Sequence, residues 1–139
     1  MNYERSLLLR GAGSAANMIR VGIDAVDVSR IRSLYQRYGE RFLKRLYTPR
    51  ESSYALAAHE DRCFERLAAC FAAKEALIKA AGSPLAFTAI EVSHSLTGRP
   101  HITCALIEGK IEASLSHTRR LAIACVLLER ATSSPRPAQ

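Results

Sequence analysis

The sequence predicts a single α+β domain, with helices packed on a mostly antiparallel sheet. Three observations carry this: an alternating strand near residue 21, a middle third dense in helix formers and helix signals, and short β-type segments divided by turns after Pro84. With 139 residues, 48% of them hydrophobic, the chain can bury one core of ordinary size.

Residues 1–19 read as a flexible arm. Its "LLL" is too short for a signal-peptide core, "GAGSAAN" is small-residue sequence, and Met18 offers a simpler start than a transit peptide would. The domain is expected over residues 20–130, with a disordered Pro/Ser-rich tail over 131–139.

"RVGIDAV" alternates Val21, Ile23 and Ala25 against Gly22, Asp24 and Val26, which is strand periodicity and turns Asp24 away from Val21 and Ile23. Asp27 is a plausible N-cap for a helix to about Tyr38, closed by Gly39. A second helical piece covers Arg41 to Tyr47. "TPRE" from Thr48 is a capping box with Pro49 at the first helical position. The longest helix should run from about Asp61 to Ala81 and stop at "GSP". Then "FTAIEVSH", a turn at "LTGRP", "HITCALI", a turn at "EGK", "IEASLSHT" and "LAIACVLLE" read as strands, the last covered on both faces.

A net charge of +7 favours an acidic or phosphorylated partner. Aromatic residues are few, at 6%, and Trp is absent, which leaves little for stacking nucleic-acid bases and argues against that class. No run approaches the roughly 18 apolar residues of a membrane span. Cys63, Cys70, Cys104 and Cys125 form no C-x-x-C pair and sit in apolar or helical runs, so a reduced, cytoplasmic setting is expected. His59, Cys63 and Cys70 could share a helical face, but a zinc site there would lack a fourth ligand.

In "FAAKEALIK", Glu75 and Lys79 lie one turn apart on a common face. An ordinary surface ion pair accounts for them; so does a site holding a divalent cation and phosphate, since Mg²⁺ takes one or two carboxylates plus water and phosphate oxygens. Asp24 is the candidate second carboxylate. In "SLSHT", Ser116 and His117 are adjacent on a strand and point to opposite faces, so they cannot act as nucleophile and base. His117 could contact a phosphate, accept a proton or be a hydrogen-bonded structural histidine. Ser114 and Thr118 read equally well as strand residues. Arg30, Leu34, Arg37 and Arg41 follow at three- and four-residue steps, a face suited to an acidic amphipathic helix and equally to plain solvation.

Together these segments resemble holo-acyl-carrier-protein synthase, the small type of phosphopantetheinyl transferase. "GIDAVDVSRI", "RFLKRLYTPRE", "FAAKEALIKAAG", "TGRP" and "SLSHT" stand in the family's order from about Arg20 to Arg130. The resemblance implies the phosphopantetheinyl transferase fold. It also implies transfer of the phosphopantetheine arm of coenzyme A to a serine of apo-acyl carrier protein, releasing adenosine 3′,5′-bisphosphate. By motif, Asp24 and Glu75 become Mg²⁺ ligands, Lys79 a phosphate contact, and His117 with Thr118 residues beside the coenzyme. Either Glu75, through a water, or His117 would take the serine proton. Arg30, Leu34, Arg37 and Arg41 would meet the acidic carrier protein, and homotrimers with clefts between subunits are implied. Three departures stand out: Cys70 where the family generally has Arg, Ala89 where it often has Asp, and a short "GSPLAFTA" loop. They leave two alternatives open, a member serving polyketide or peptide carriers and a weak or inactive carrier-binding homologue.

Overall fold

A computed structural model of the chain describes residues 17–132, and expectations placed on residues 1–16 and 133–139 lie outside them. β1 (Asn17–Asp27) leads into α1 (Val28–Tyr38), α2 (Glu40–Leu46), α3 (Pro49–Leu56) and α4 (Asp61–Ala81). A single 3-10 turn at Phe87–Ala89 precedes β2 (Ile90–His94), β3 (Pro100–Cys104), β4 (Lys110–His117) and β5 (Leu121–Ala131). The α+β class holds, and every strand pair is antiparallel. The strands divide into two sheets, β1–β5–β4 and β2–β3, rather than one.

The local signals act where the residues place them. Thr48 accepts from the Glu51 N–H while Glu51 accepts from the Thr48 N–H, so the capping box of α3 is complete. Gly82, left-handed at φ 69°, ends α4 by donating its N–H to the Ile78 carbonyl. Asp27 stands at the N-cap of α1, but its side chain makes no cap hydrogen bond. β1 begins earlier than the alternation suggested: Asn17 pairs with Ala131, so residues 17–19 belong to the sheet and not to an arm. "FTA" turns before β2 starts: the Phe87 carbonyl accepts both from the Ile90 N–H and from a buried lysine described below.

α4 lies on one face of the three-stranded sheet. From the sheet come Gly22, Val26, Ala122, Ala124, Val126 and Leu128, all buried; from the helix come Ala72, Ala73, Ala76, Leu77 and Ala80. Small side chains on both surfaces bring the backbones close. A Cβ at Gly22 would overlap the Ala76 carbonyl oxygen, so only glycine fits where β1 meets α4. The opposite face of the sheet is apolar yet open: Ile19 is 64% exposed, Val21 60%, Ile23 61% and Leu127 44%. Among the described residues β5 is therefore covered on one face, not on both, because α4 is packed on only one side of it.

Lys74, fully buried, reaches through this core to Glu51, with Nζ 2.7 Å from Oε2. Its other two N–H groups donate to the carbonyls of Leu46 and Phe87, each at 2.8 Å. Glu51 accepts from the Val92 N–H at 2.6 Å as well as from Thr48. One ion pair thus ties α2, α3, α4, the 3-10 turn and β2. Cys70 sits one turn before Lys74 on this buried face, where burial first and the Glu51 charge next push its thiol pKa well up.

Two substitutions test this framework by urea unfolding. Lys74→Met should cost about 3–5 kcal/mol, since it leaves Glu51 charged and unpaired in the core. Gly22→Ala should cost roughly 1–3 kcal/mol or more by forcing β1 off α4. A wild-type midpoint for Gly22→Ala would mean that the contact relaxes freely.

Candidate active site

Asp24 follows Gly22 on the inner side of β1, so the close approach that glycine permits carries the carboxylate to the flank of α4. Its side chain is 16% exposed, and Lys79 of α4 pairs with it at 2.8 Å while also donating to the Ile23 carbonyl at 3.0 Å. The hydrogen bond to Asp24 is the main reason the Lys79 pKa is raised. Partial desolvation opposes it, and the charges of Asp24 and then Glu75 add to it. Asp24 and Lys79 are thus brought together across the seam between β1 and α4, and Glu75 stands one helical turn before Lys79, near enough for its charge to act on the lysine. They come from two rigid elements, and the bland reading of Lys79 as a simple partner for Glu75 misses its main contact.

A carboxylate paired with an ammonium, with a second carboxylate one turn away on the same helix, supplies the residue types that suit a divalent cation bound chiefly through water and phosphate. Among the described residues no three His, Cys, Asp or Glu side chains gather, so an all-protein cage is not what this site could supply. Mg²⁺ is commonly held by one or two carboxylates with substrate phosphate completing its shell, and the donor set suits that mode.

His117 ends β4 on the inner side, opposite Ala122, while Ser116 faces outward opposite Ile123. Its Nδ1 lies 3.0 Å from Oε2 of Glu65, near the start of α4. Thr118 holds the following turn: its N–H donates to the Leu121 carbonyl, and its Oγ1 accepts from the N–H groups of Arg120 and Leu121. His117 lines a cavity of about 200 Å³ with Tyr54, Arg66, His94, Gly98 and Leu115. Tyr54 stacks on His94 at 4.8 Å, and the Arg66 guanidinium lies 4.3 Å over the Tyr54 ring. Burial and then the charge of Arg66 lower the His94 pKa.

The His117 cluster and the carboxylates do not meet within the chain. Glu65 and Glu75 stand nearly three helical turns apart on α4, about 15 Å along its axis. The same helix therefore serves both clusters and holds them separate.

On the helical side, Arg30, Arg37 and Arg41 are exposed and Leu34 is half-buried. Gly39 breaks the stripe into two helices, so Arg41 belongs to α2 rather than to a continuous face. Leu34 and Arg41 line an apolar groove of about 440 Å³ with Tyr38, Phe42, Arg45 and Leu46, whereas Arg30 and Arg37 stand outside it. Arg45 and Glu65 were not among the residues singled out from sequence. Arg45 sits at a four-residue step from Arg41, a spacing that extends the stripe; nothing local marks Glu65 as a partner for a residue 52 positions away.

Known proteins match this arrangement over most of its length. A sequence model of the 4′-phosphopantetheinyl transferase superfamily matches residues 20–126. The chain is 37% identical over 120 residues to a holo-[acyl-carrier-protein] synthase of Chloroherpeton thalassium, covering 80% of this chain and 98% of that protein. It is 42% identical over 123 residues to one from Carboxydothermus hydrogenoformans, covering 79% and 98%. A crystal structure of a holo-(acyl-carrier-protein) synthase from Bacillus anthracis in complex with CoA (3′,5′-ADP) superposes with a TM-score of 0.74 at 32% identity, covering 82% of this chain and 98% of that one. Fold, motif order and matched length agree: the chain belongs to the 4′-phosphopantetheinyl transferase superfamily.

Proposed function

We propose that this chain is a holo-[acyl-carrier-protein] synthase. It transfers 4′-phosphopantetheine from coenzyme A to a serine hydroxyl of apo-acyl carrier protein and releases adenosine 3′,5′-bisphosphate. The observation that carries the reading is the Asp24–Lys79 pair, with Glu75 one turn before Lys79 on the same helix, in a chain similar along most of its length to proteins of that name. Asp24 and Glu75 would hold Mg²⁺, which when bound neutralises charge on the pyrophosphate and its leaving oxygen. Lys79 is in place to exchange Asp24 for a phosphate oxygen, with a flexible stem and an exposed ammonium. His117 and Thr118 would contact the coenzyme away from the reacting phosphate.

The spacing along α4 bears on the proton transfer. A base must stand within hydrogen-bond reach of the serine hydroxyl, directly or through one water. About 15 Å of helix separates the Glu75 end from the Glu65 end, where His117 sits. Glu75 is therefore favoured over His117 of the same chain as the group that accepts the proton. A His117 supplied by another subunit would escape this restriction, and the open apolar face of β1 and β5 supports assembly of several chains. We place the protein as a homotrimer with coenzyme clefts between subunits, acting in the cytoplasm, where its four unpaired cysteines stay reduced. No helix among the described residues is long and apolar enough to cross a membrane.

The basic groove supports docking of an acidic carrier protein. Leu34, Tyr38 and Phe42 offer an apolar seat, Arg41 and Arg45 rim it, and Arg30 and Arg37 extend the positive field. Cys70, one of the three departures, lies in the core on the Lys74 face and away from Lys79. It does not favour an inactive homologue. A panel of fatty-acid, polyketide and peptide carriers would identify the one served.

Purified protein with coenzyme A, Mg²⁺ and apo-carrier protein should add the pantetheine arm, read as a mass increase of the carrier. Asp24→Asn and Glu75→Gln should each lower the rate by about 10²–10³-fold. Undiminished transfer by both would remove the metal assignment. Reversing charge at Arg30 and Arg37 together should raise the carrier KM about tenfold, with a steep salt dependence in the parent. An unchanged KM would reduce that pair to a solvated face.

A further inference from the structure

We propose that Glu65 is a positioning residue for His117: it holds the Nδ1–H of the imidazole and leaves Nε2 as the one ring nitrogen free for coenzyme A. The proposal rests on the reading of His117 as a coenzyme contact and adds the group that sets its tautomer and direction.

The chemistry of the pair dictates the tautomer. An ionised carboxylate only accepts hydrogen bonds, so at 3.0 Å from Oε2 the His117 Nδ1 carries the proton. Nε2 is then an acceptor in the neutral ring and a donor in the imidazolium, pointing the same way in both. The ring also lines the cavity bounded by Tyr54, Arg66, His94, Gly98 and Leu115, so a ligand there meets an edge of fixed polarity. Without a partner at Nδ1, imidazole exchanges tautomers and flips about its χ2 bond, and part of the binding energy would be spent on ordering it.

The surroundings argue against a casual surface pair. The Glu65 side chain is only 13% exposed while His117 is 36% exposed, so the carboxylate is the more enclosed partner. Among the described residues His117 is its only ion-pair partner. Its helix is held firmly: Leu67 and Ala68, two and three positions on, are fully buried. The pair also joins elements that are not neighbours in the strand ladder, the first third of α4 and the last residue of β4. A carboxylate kept largely out of water costs free energy unless a donor meets it, and His117 is that donor.

The test uses the full-length protein with Glu65→Ala, Glu65→Gln and His117→Ala. The ¹⁵N shifts of the imidazole, read by long-range heteronuclear NMR at a pH where the ring is neutral, report its tautomer directly. Wild type should show Nδ1–H, Glu65→Ala should move the ring largely to Nε2–H, and Glu65→Gln, whose amide oxygen still accepts, should keep Nδ1–H. In kinetics, Glu65→Ala should raise the coenzyme A KM about tenfold with little change in kcat, as expected for loss of an oriented polar contact. Glu65→Gln should stay within about twofold of wild type, and Glu65→Ala combined with His117→Ala should be no worse than His117→Ala alone. An unchanged tautomer in Glu65→Ala overturns the proposal. A shifted tautomer with wild-type KM in both Glu65→Ala and His117→Ala overturns the placement of His117 at the coenzyme and, with it, the functional role of Glu65. In that case the bond itself stands as a purely structural one.

Discussion

The buried pair of Lys74 and Glu51 is the constraint on which the placement of the other parts depends. Lys74 spends all three donors inside the protein, and Glu51 receives two backbone N–H groups besides the ammonium. Such a pair offers little net stability over a well-packed apolar alternative, because both charges had to leave water. Its value lies in direction. Charges that must meet three or four partners at once allow α4 one rotation about its axis, and the residue after Lys74 is Glu75. A helix packed through alanines alone could roll with small loss; this one cannot roll without stranding a charge.

α4 therefore does different work on different sides. The Lys74 side, with Cys70, faces the α2–α3 connection; the alanine side lies on β1 and β5; the Glu75 and Lys79 side looks along the seam toward Asp24. Gly22 sets the depth of that seam. Had β1 carried any side chain there, the strand would stand further from α4 and the Lys79–Asp24 bond would lengthen or break. Depth from a glycine and rotation from an ion pair together fix a lysine and a carboxylate that come from segments 55 residues apart.

Much of this was legible in the residues. The capping box at Thr48, the glycine ends at Gly39 and Gly82, and the period-2 pattern around Asp24 are local signals, and local backbone chemistry decided them. Lys74 also left a trace: it shares helical spacing with Cys70, Leu77 and Ala81, so a charge stood on an otherwise apolar stripe and required a buried partner. The identity of that partner was not legible, because Glu51 was already explained as a cap and a second role leaves no mark in spacing. The meeting of Glu65 and His117 was hidden for a related reason, since it depends on where β4 ends against α4. The strand boundaries slipped for a simpler cause. Asn17 and Ala131 carry no apolar pattern and are in the sheet because each is the other's partner.

The open side of the β1–β5 ribbon has a consequence for how the protein exists in time. Ile19, Val21, Ile23 and Leu127 present branched side chains to solvent on one face of the sheet, with β1 at its edge among the described residues. Any cover that binds only the folded form stabilises it in proportion to the logarithm of the cover's concentration. If that cover is another copy of the chain, as proposed, half-life at high dilution and tolerance of mutations in the interior become properties of a population of chains rather than of one.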